Sequence, residues 1–177
     1  MWRRTHLGSE ADRATFRTLH RASLATPALR EGLTTDSAER SVRHLRELLG
    51  TPALAITDTA GCLAWDGAGT HHRDQVPTLV AASLERGRTR SIDRSELRCQ
   101  EVGCTIRTAV VSPLVVEERI VGTLVAFATT PTAGLARATE EVATWVSGQL
   151  DFAELESSRA RLAEAELRAL RAQISPH

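Results

Sequence analysis

The pattern of hydrophobic and polar positions begins with two stretches at helical spacing. Residues 10–30 carry apolar side chains among charged ones and predict a helix with one moderately apolar face. Apolar side chains recur at helical intervals again within residues 42–49, and Gly50 predicts where this second helix ends. Asp36 and Glu39 have the spacing of a capping box, so we expect Asp36 to cap the start of the second helix.

The spacing then changes to the alternation that is typical of β-strands. Residues 53–57 and 62–66 predict a hairpin, because the Asp-Thr-Ala-Gly segment between them suits a tight reversal. Residues 106–116 and 119–129 are rich in Val, Ile and Thr and predict a second hairpin. Pro113 lacks a backbone N–H, so it predicts a bulge or an unpaired edge position in that hairpin.

Two further stretches return to helical spacing. Residues 73–86 predict a helix that ends at Gly87. From Leu135 onward Ala, Glu, Arg and Leu dominate as far as Pro176, which predicts one long helix. Beyond Leu150 this helix carries two narrow apolar rows, one with Leu155, Leu162, Ala165, Ala169 and Ala172 and the other with Ala160, Ala163, Leu167, Leu170 and Ile174. A helix cannot bury such rows alone, so we expect a parallel homodimer.

Together these elements predict an α+β fold, in which an antiparallel sheet is flanked by helices and a long helix leaves the domain at its C-terminal end. We expect an N-terminal helix over residues 1–34, one domain over residues 35–150 and a dimerisation helix over residues 151–177. A chain of 177 residues with 42% hydrophobic content supplies an ordinary core for one such domain.

Composition narrows the classes of function. Lys and Arg total 22, as do Asp and Glu, so the chain lacks the positive charge that attracts nucleic acid, and we expect no nucleic-acid partner. No apolar run approaches the roughly 18 residues that span a bilayer. Three cysteines without a secretion signal are typical of a reducing compartment. We therefore expect a cytoplasmic location, and a membrane segment preceding Met1 in the natural protein stays open.

The last twelve residues, 166–177, read ELRALRAQISPH and end on a histidine just after a proline. This stretch resembles the dimerisation helix of LytS-type sensor histidine kinases, in which the motif's histidine accepts a phosphoryl group. The resemblance implies that His177 is the phosphoacceptor. A neutral imidazole nitrogen is a suitable nucleophile for this step at a pH near 7.

The order of elements over residues 37–150 is similar to the GAF domain, a sensory module with an antiparallel sheet between helical layers. The segments AITDTAGCLAWDGAGTHH and CTIRTAVVSPLVVEERIVGTLVAF carry this resemblance and, with the terminal motif, resemble LytS-type kinases. The resemblance implies a response regulator as partner and a downstream domain that binds ATP. No Gly-rich phosphate-binding motif occurs in this sequence, so we expect the chain to be catalytically inactive by itself.

Cys99 and Cys104 lie in a glycine-containing loop just before the strand predicted over residues 106–116. Cys62, His71 and His72 lie elsewhere in the chain. Thiolate and imidazole groups are soft ligands of the kind that bind zinc or copper(I). A redox pair is an alternative interpretation. Packed cysteines without chemistry are favoured over both, because the C-x₄-C spacing is loose and no second cysteine pair completes a Cys₄ site.

A small-molecule pocket between the sheet and its adjoining loops is implied by the GAF resemblance. We expect Trp65 to form one wall of it, and His71 and His72 to lie in the flexible loop that follows. Arg107 and Ser112 on the next hairpin are expected to donate hydrogen bonds to an anionic ligand. The simpler alternatives are a packed tryptophan, a solvated histidine pair and an arginine in a surface ion pair. The sequence identifies no particular ligand.

The function that these features indicate is sensory. In this interpretation a GAF domain transmits a signal through a dimeric helix to His177 of a two-component sensor histidine kinase. The alternative is a stand-alone GAF-like module for ligand binding or dimerisation. A GAF-related methionine sulfoxide reductase would use the cysteines as its catalyst, but such an enzyme has no use for a long terminal helix.

Overall fold

In a computed structural model of the protein, which describes residues 9–174, a five-stranded antiparallel sheet lies between two helical layers. The elements in chain order are α1 (Glu10–Leu29), α2 (Thr35–Leu49), β1 (Ala53–Asp58), β2 (Cys62–Gly67), a 3₁₀ helix (Thr70–Gln75), α3 (Val76–Arg86), β3 (Arg90–Ile92), β4 (Thr108–Val116), β5 (Arg119–Ala128) and α4 (Ala133–Ile174). The predicted α+β fold, with its flanked antiparallel sheet and long C-terminal helix, is confirmed. The predicted phosphoacceptor, His177, lies outside the described residues.

Both predicted hairpins are present and lie side by side in the strand order β2-β1-β5-β4-β3. The first hairpin turns on Asp58, whose carboxylate accepts hydrogen bonds from the backbone N–H groups of Ala60 and Gly61, each at 2.7 Å. β1 then pairs with β5, with Ala55 opposite Val125. This pairing joins the two hairpins into one sheet.

Each face of the sheet has its own core, because successive strand side chains point to opposite faces. On one face α1, α2 and α4 cover a cluster that includes Leu29, Leu45, Leu54, Ile56, Leu124, Val146 and Leu150. On the other face α3 and the segment between β3 and β4 cover a cluster that includes Val76, Leu79, Ile106, Val111, Val125 and Phe127. The candidate histidines and cysteines, His71, His72, Cys99 and Cys104, lie beside this second core.

The start of α2 corrects one prediction. Its N-cap is Thr34, and not Asp36. The Thr34 hydroxyl accepts a hydrogen bond from the Ser37 backbone N–H at 3.1 Å, while the Ser37 hydroxyl accepts one from the Thr34 backbone N–H at 2.9 Å. Asp36 lies in the first turn and pairs with Arg40 at 2.8 Å. Ser37 therefore takes the reciprocal position that we expected of Glu39.

The predicted helix over residues 73–86 also begins differently. A 3₁₀ helix over Thr70–Gln75 precedes α3, which starts at Val76 with a proline in its first turn, where a missing N–H is tolerated. Gly87 ends α3 in the left-handed conformation, as predicted. The 3₁₀ helix matters for function because it carries the histidine pair.

The short edge strand β3 was not predicted from the sequence. It pairs with residues Ala109–Val111 of β4, opposite Arg90, Ser91 and Ile92. Pro113 lies beyond this paired stretch, so the side of β4 that faces β3 is unpaired at the proline. This arrangement agrees with the predicted edge position.

The 42-residue helix α4 packs on the sheet through its first half and then projects from the domain. The last buried residue of α4 is Ala153, and beyond it Leu162 is 66% exposed and Ile174 is 78% exposed. The boundary that we expected after Leu150 falls inside this continuous helix. None of the helices over residues 9–174 is both long and apolar enough to cross a membrane.

Candidate metal centre

Four side chains from two separate segments meet beside the second core: His71, His72, Cys99 and Cys104. Their candidate ligand atoms all lie within 4.8 Å of one another. The His71 Nε2 lies 3.2 Å from the Cys99 Sγ, and the His72 Nε2 lies 3.4 Å from the Cys104 Sγ. We call these four residues the His–Cys cluster.

The 3₁₀ helix aims the two histidines at the cysteines. It begins after Gly69, which has a φ of +67° and accepts a hydrogen bond from the His72 backbone N–H at 2.9 Å. A Cβ atom at Gly69 would lie 2.5 Å from the Ile106 Cδ1 and 3.3 Å from the His72 Cδ2. Position 69 therefore favours glycine, both for its backbone conformation and for the space beside it.

The cysteines lie in the loop between β3 and β4, which is held at several points. The backbone N–H of Cys104 donates to the Glu101 carbonyl at 3.3 Å. The guanidinium of Arg107 donates to the backbone carbonyls of Cys104 and Ile106. The Gln75 side-chain amide donates to the Arg98 carbonyl at 2.7 Å. The last contact ties the end of the 3₁₀ helix to the residue before Cys99.

The cluster spans the boundary between core and solvent. His72 is fully buried, with its ring stacked near Phe127 at a centroid distance of 6.3 Å. The rings of His71 and His72 lie 4.3 Å apart, while His71 is exposed and both cysteines are half-buried. Within residues 9–174 the buried His72 Nδ1 has no hydrogen-bond partner.

Burial shifts the pKa values of His72 and Cys104 in opposite directions. Desolvation, assisted by the neighbouring His71, lowers the pKa of His72, which favours the neutral imidazole. Burial raises the pKa of Cys104, and Cys99 raises it further, against an opposing hydrogen bond with the Ile106 backbone. A neutral imidazole is ready to bind a metal, whereas the Cys104 thiol must release its proton on binding.

The other predicted ligand-binding residues, Trp65, Arg107 and Ser112, are not members of this cluster. Trp65 packs on Phe127 at a ring centroid distance of 4.6 Å, and the same phenylalanine ring lies 6.3 Å from the His72 ring. Arg107 bonds to backbone carbonyls of the cysteine loop, as described above. Both residues lie near the cluster, and neither provides one of its four ligand atoms.

Ser112 lies on the opposite face of the sheet from the His–Cys cluster. Its hydroxyl forms a hydrogen bond of 2.7 Å with the Thr89 hydroxyl. It lines a groove of about 570 Å³ against α4. Ser112 lies on this face because successive side chains of a strand point to opposite faces of the sheet. Val111 faces the second core, so Ser112 faces away from it. The structure therefore does not bring Ser112 together with Trp65, His71 and His72.

The sequence raised these histidines and cysteines as possible soft-metal ligands, but it did not predict that they meet. One sequence pattern could have linked them: each of two segments carries a pair of potential metal ligands, a histidine dipeptide in one and a C-x₄-C pair in the other. The two segments are 28 residues apart, measured from His71 to Cys99. Their meeting supplies the second ligand pair that the cysteines lacked.

Known proteins resemble this chain in sequence. The family model of the GAF domain matches residues 34–153. The chain is 34% identical to Sensor protein LytS of Bacillus anthracis, over 92% of this chain and 29% of that protein. It is 33% identical to the Sensor histidine kinase/phosphatase LytS of Staphylococcus aureus strain Mu50, over 85% of this chain and 27% of that protein. The chain thus spans under a third of the length of these relatives.

A solved structure supports the same fold. The crystal structure of the A. aeolicus nlh2 GAF domain in an inactive state superimposes with a TM-score of 0.56 at 13% identity. The superposition covers 81% of this chain and 99% of that one. At this identity the likeness concerns the fold alone.

Proposed function

This chain belongs to the GAF domain family, and we propose that it is the sensory region of a LytS-type two-component sensor histidine kinase. The similarity to LytS proteins over most of the chain supports this proposal. The structural observation that carries it is α4, one uninterrupted helix that packs on the sheet and continues to Ile174. His177 follows three residues later, at the end of the predicted phosphoacceptor motif.

The contacts between β4 and α4 support a mechanical role for this helix. The backbone N–H of Val115 donates to the Ser147 hydroxyl at 2.9 Å, and the backbone N–H of Glu117 donates to the Asp151 carboxylate at 2.9 Å. A displacement of β4 would therefore move α4 as well. A signal in the sensory domain would rotate or slide α4 and change the position of His177 relative to the nucleotide.

A parallel homodimer through α4 is part of this proposal. Beyond Ala153, large apolar side chains of α4 are exposed, namely Leu155, Leu162, Leu167, Leu170 and Ile174. A second copy of the same helix would bury one apolar row along a coiled-coil seam. The dimer would hold two phosphoacceptor helices side by side.

ATP binding and phosphotransfer belong to parts of the kinase beyond this sequence. In the proposed mechanism a downstream domain binds ATP and delivers the phosphoryl group to the imidazole of His177. A response regulator then receives the phosphoryl group. The cellular location follows from the same proposal: the sensory domain would lie in the cytoplasm, where ATP and the response regulator are present.

The proposal is tested with the full-length natural protein. We expect incubation with labelled ATP to yield acid-labile phosphate in the wild type and in His20→Gln, a control at an exposed histidine of α1. His177→Gln should lose the label, because an amide nitrogen has no lone pair available for attack. Phosphorylation that persists in His177→Gln would overturn the assignment of the phosphoacceptor. A full-length protein without any kinase activity would favour a stand-alone module.

A further inference from the structure

The His–Cys cluster combines two imidazoles and two thiols, the ligand set of a closed zinc site. We propose that His71, His72, Cys99 and Cys104 bind one Zn²⁺ ion in tetrahedral coordination. This inference goes beyond the proposed kinase role, because it names a ligand for the sensory domain and stands whether or not the chain belongs to a kinase.

The distances within the cluster are close to those of an occupied site. Zinc bonds of about 2.3 Å to sulfur and about 2.0–2.1 Å to nitrogen, at tetrahedral angles, separate a sulfur from a nitrogen by about 3.5 Å. The two sulfur–nitrogen contacts of the cluster measure 3.2 and 3.4 Å. Tetrahedral geometry separates the two sulfurs by about 3.8 Å, and all ligand atoms of the cluster already lie within 4.8 Å. Small side-chain rotations therefore suffice to close the site.

The surroundings of His72 support a metal more strongly than a packed histidine. A buried histidine normally bonds through its ring nitrogens to oxygen or nitrogen partners. The Nε2 of His72 instead lies 3.4 Å from the Cys104 sulfur, with the other ligand atoms of the cluster within 4.8 Å. A fully buried imidazole directed at a thiol fits a soft-metal site.

Access to the cluster is open from one side. His71 is exposed and the cysteines are half-buried, so an ion can enter from solvent without unfolding of the domain. Bound zinc would then join the 3₁₀ helix to the loop between β3 and β4. That loop leads directly into β4, the strand that bonds to α4. Occupancy of the site would therefore restrain the segment through which the proposed signal passes.

The proposal is tested by metal titration of the whole 177-residue chain, reduced with a phosphine and stripped with a chelator. We expect Co²⁺ to bind at one equivalent with the intense visible bands of a tetrahedral ion and a sulfur-to-cobalt charge-transfer band. Zn²⁺ should displace the Co²⁺ and compete with a chromophoric chelator. Each of Cys99→Ser, Cys104→Ser and His71→Asn should weaken Zn²⁺ binding by about tenfold or more.

Two matched controls separate the cluster from other thiols and histidines. Cys62→Ser removes the third cysteine, which lies outside the cluster, and His20→Asn removes an exposed histidine of α1. Both should bind Zn²⁺ like the wild type. His72→Asn affects a buried position, so its Zn²⁺ affinity is informative only if circular dichroism shows a folded domain. The Zn²⁺ affinities of His71→Asn and Cys99→Ser test the proposal whether or not His72→Asn folds.

Several outcomes would overturn the proposal. One is a weak, octahedral Co²⁺ spectrum, and another is equal Zn²⁺ affinity in the cluster variants and the controls. A Cys99–Cys104 disulfide in the protein purified without reductant, together with no zinc uptake after reduction, would assign the cysteines to redox chemistry instead. Binding of Cu⁺ without binding of Zn²⁺ would also contradict it. All these measurements omit ATP, so their failure is distinct from a failure of the kinase assignment.

Discussion

The hydroxyl of Ser147 on α4 accepts a hydrogen bond of 2.9 Å from the backbone N–H of Val115 on β4. The same hydroxyl donates to the Ala143 carbonyl at 2.8 Å, so the side chain links the helix to the strand through one buried atom. The bulge that shifts the β4–β5 register lies between Leu114 and Val115. Ser147 thus satisfies a backbone donor at the irregular point of the strand.

Replacing Ser147 by Ala should destabilise the domain by about 1–3 kcal/mol, because the Val115 N–H is left without its acceptor. Thr144→Ala is a matched control on an exposed face of the same helix, where the hydroxyl bonds only to the Glu140 carbonyl. The control should change stability by no more than about 0.5 kcal/mol. Urea unfolding followed by circular dichroism measures both, and equal midpoints for the two variants would contradict the role of Ser147.

Leu162→Glu should weaken the proposed dimer, because two carboxylates would face each other at the seam at a cost on the order of a few kcal/mol per dimer. Leu162 is 66% exposed in the single chain, so the domain itself should stay folded. Ser157→Glu introduces the same charge outside both apolar rows and should leave the dimer intact. Light scattering at micromolar concentration gives the mass of each, and an unchanged dimer mass for Leu162→Glu would count against the seam.

Gly69→Ala should disturb the His–Cys cluster more than an ordinary glycine substitution. The new Cβ would meet the Ile106 side chain at 2.5 Å in a backbone with φ of +67°. Gly50→Ala is the matched control, since its φ is +64° and nothing lies within 4 Å of its added Cβ. We expect the control to cost about 1–2 kcal/mol and Gly69→Ala to add about 1–3 kcal/mol of overpacking.

The readouts for the glycine pair are thermal unfolding and Co²⁺ affinity. Only Gly69→Ala should lose Co²⁺ affinity, because only this substitution displaces His72. Equal Co²⁺ affinities in the two variants would show that the 3₁₀ helix does not depend on Gly69.

Zinc should stabilise the folded domain by mass action if it binds only the native state. At a free Zn²⁺ concentration of 100 times Kd, the free energy of unfolding should rise by about 2.7 kcal/mol. Cys99→Ser should show a much smaller rise at the same concentration, while Cys62→Ser should behave like the wild type. Chemical denaturation with and without Zn²⁺ measures the change. A rise of similar size in Cys99→Ser would indicate zinc binding elsewhere in the protein.

Local patterns in the sequence determined most of the secondary structure. The two hairpins and α4 follow from hydrophobic periodicity, which depends only on neighbours along the chain. Gly50 and Gly87 end α2 and α3 as predicted, because each takes the left-handed conformation that glycine adopts without strain. The resemblance of the terminal motif to LytS-type kinases likewise depended on the sequence alone.

Element boundaries and the shortest strand required the tertiary structure. Both Thr34 and Asp36 are good capping residues, and the choice depends on Ser37, which is buried and donates to the Gly32 carbonyl at 2.5 Å. β3 has three residues and a single buried apolar side chain, Ile92, so its period is too short to detect. It forms because β4 offers an unpaired edge.

For the His–Cys cluster, too, the sequence determined one part and the tertiary structure the other. The sequence by itself determined that soft ligands occur in two pairs and that a sheet and a long helix follow. It did not determine that the pairs meet, because no local rule links a 3₁₀ helix to a loop 28 residues away from His71. Only the tertiary structure decided this. The hydrophobic core around Phe127 holds α3 and the β3–β4 loop on one face of the sheet. The 3₁₀ helix that precedes α3 therefore lies next to the cysteines of that loop.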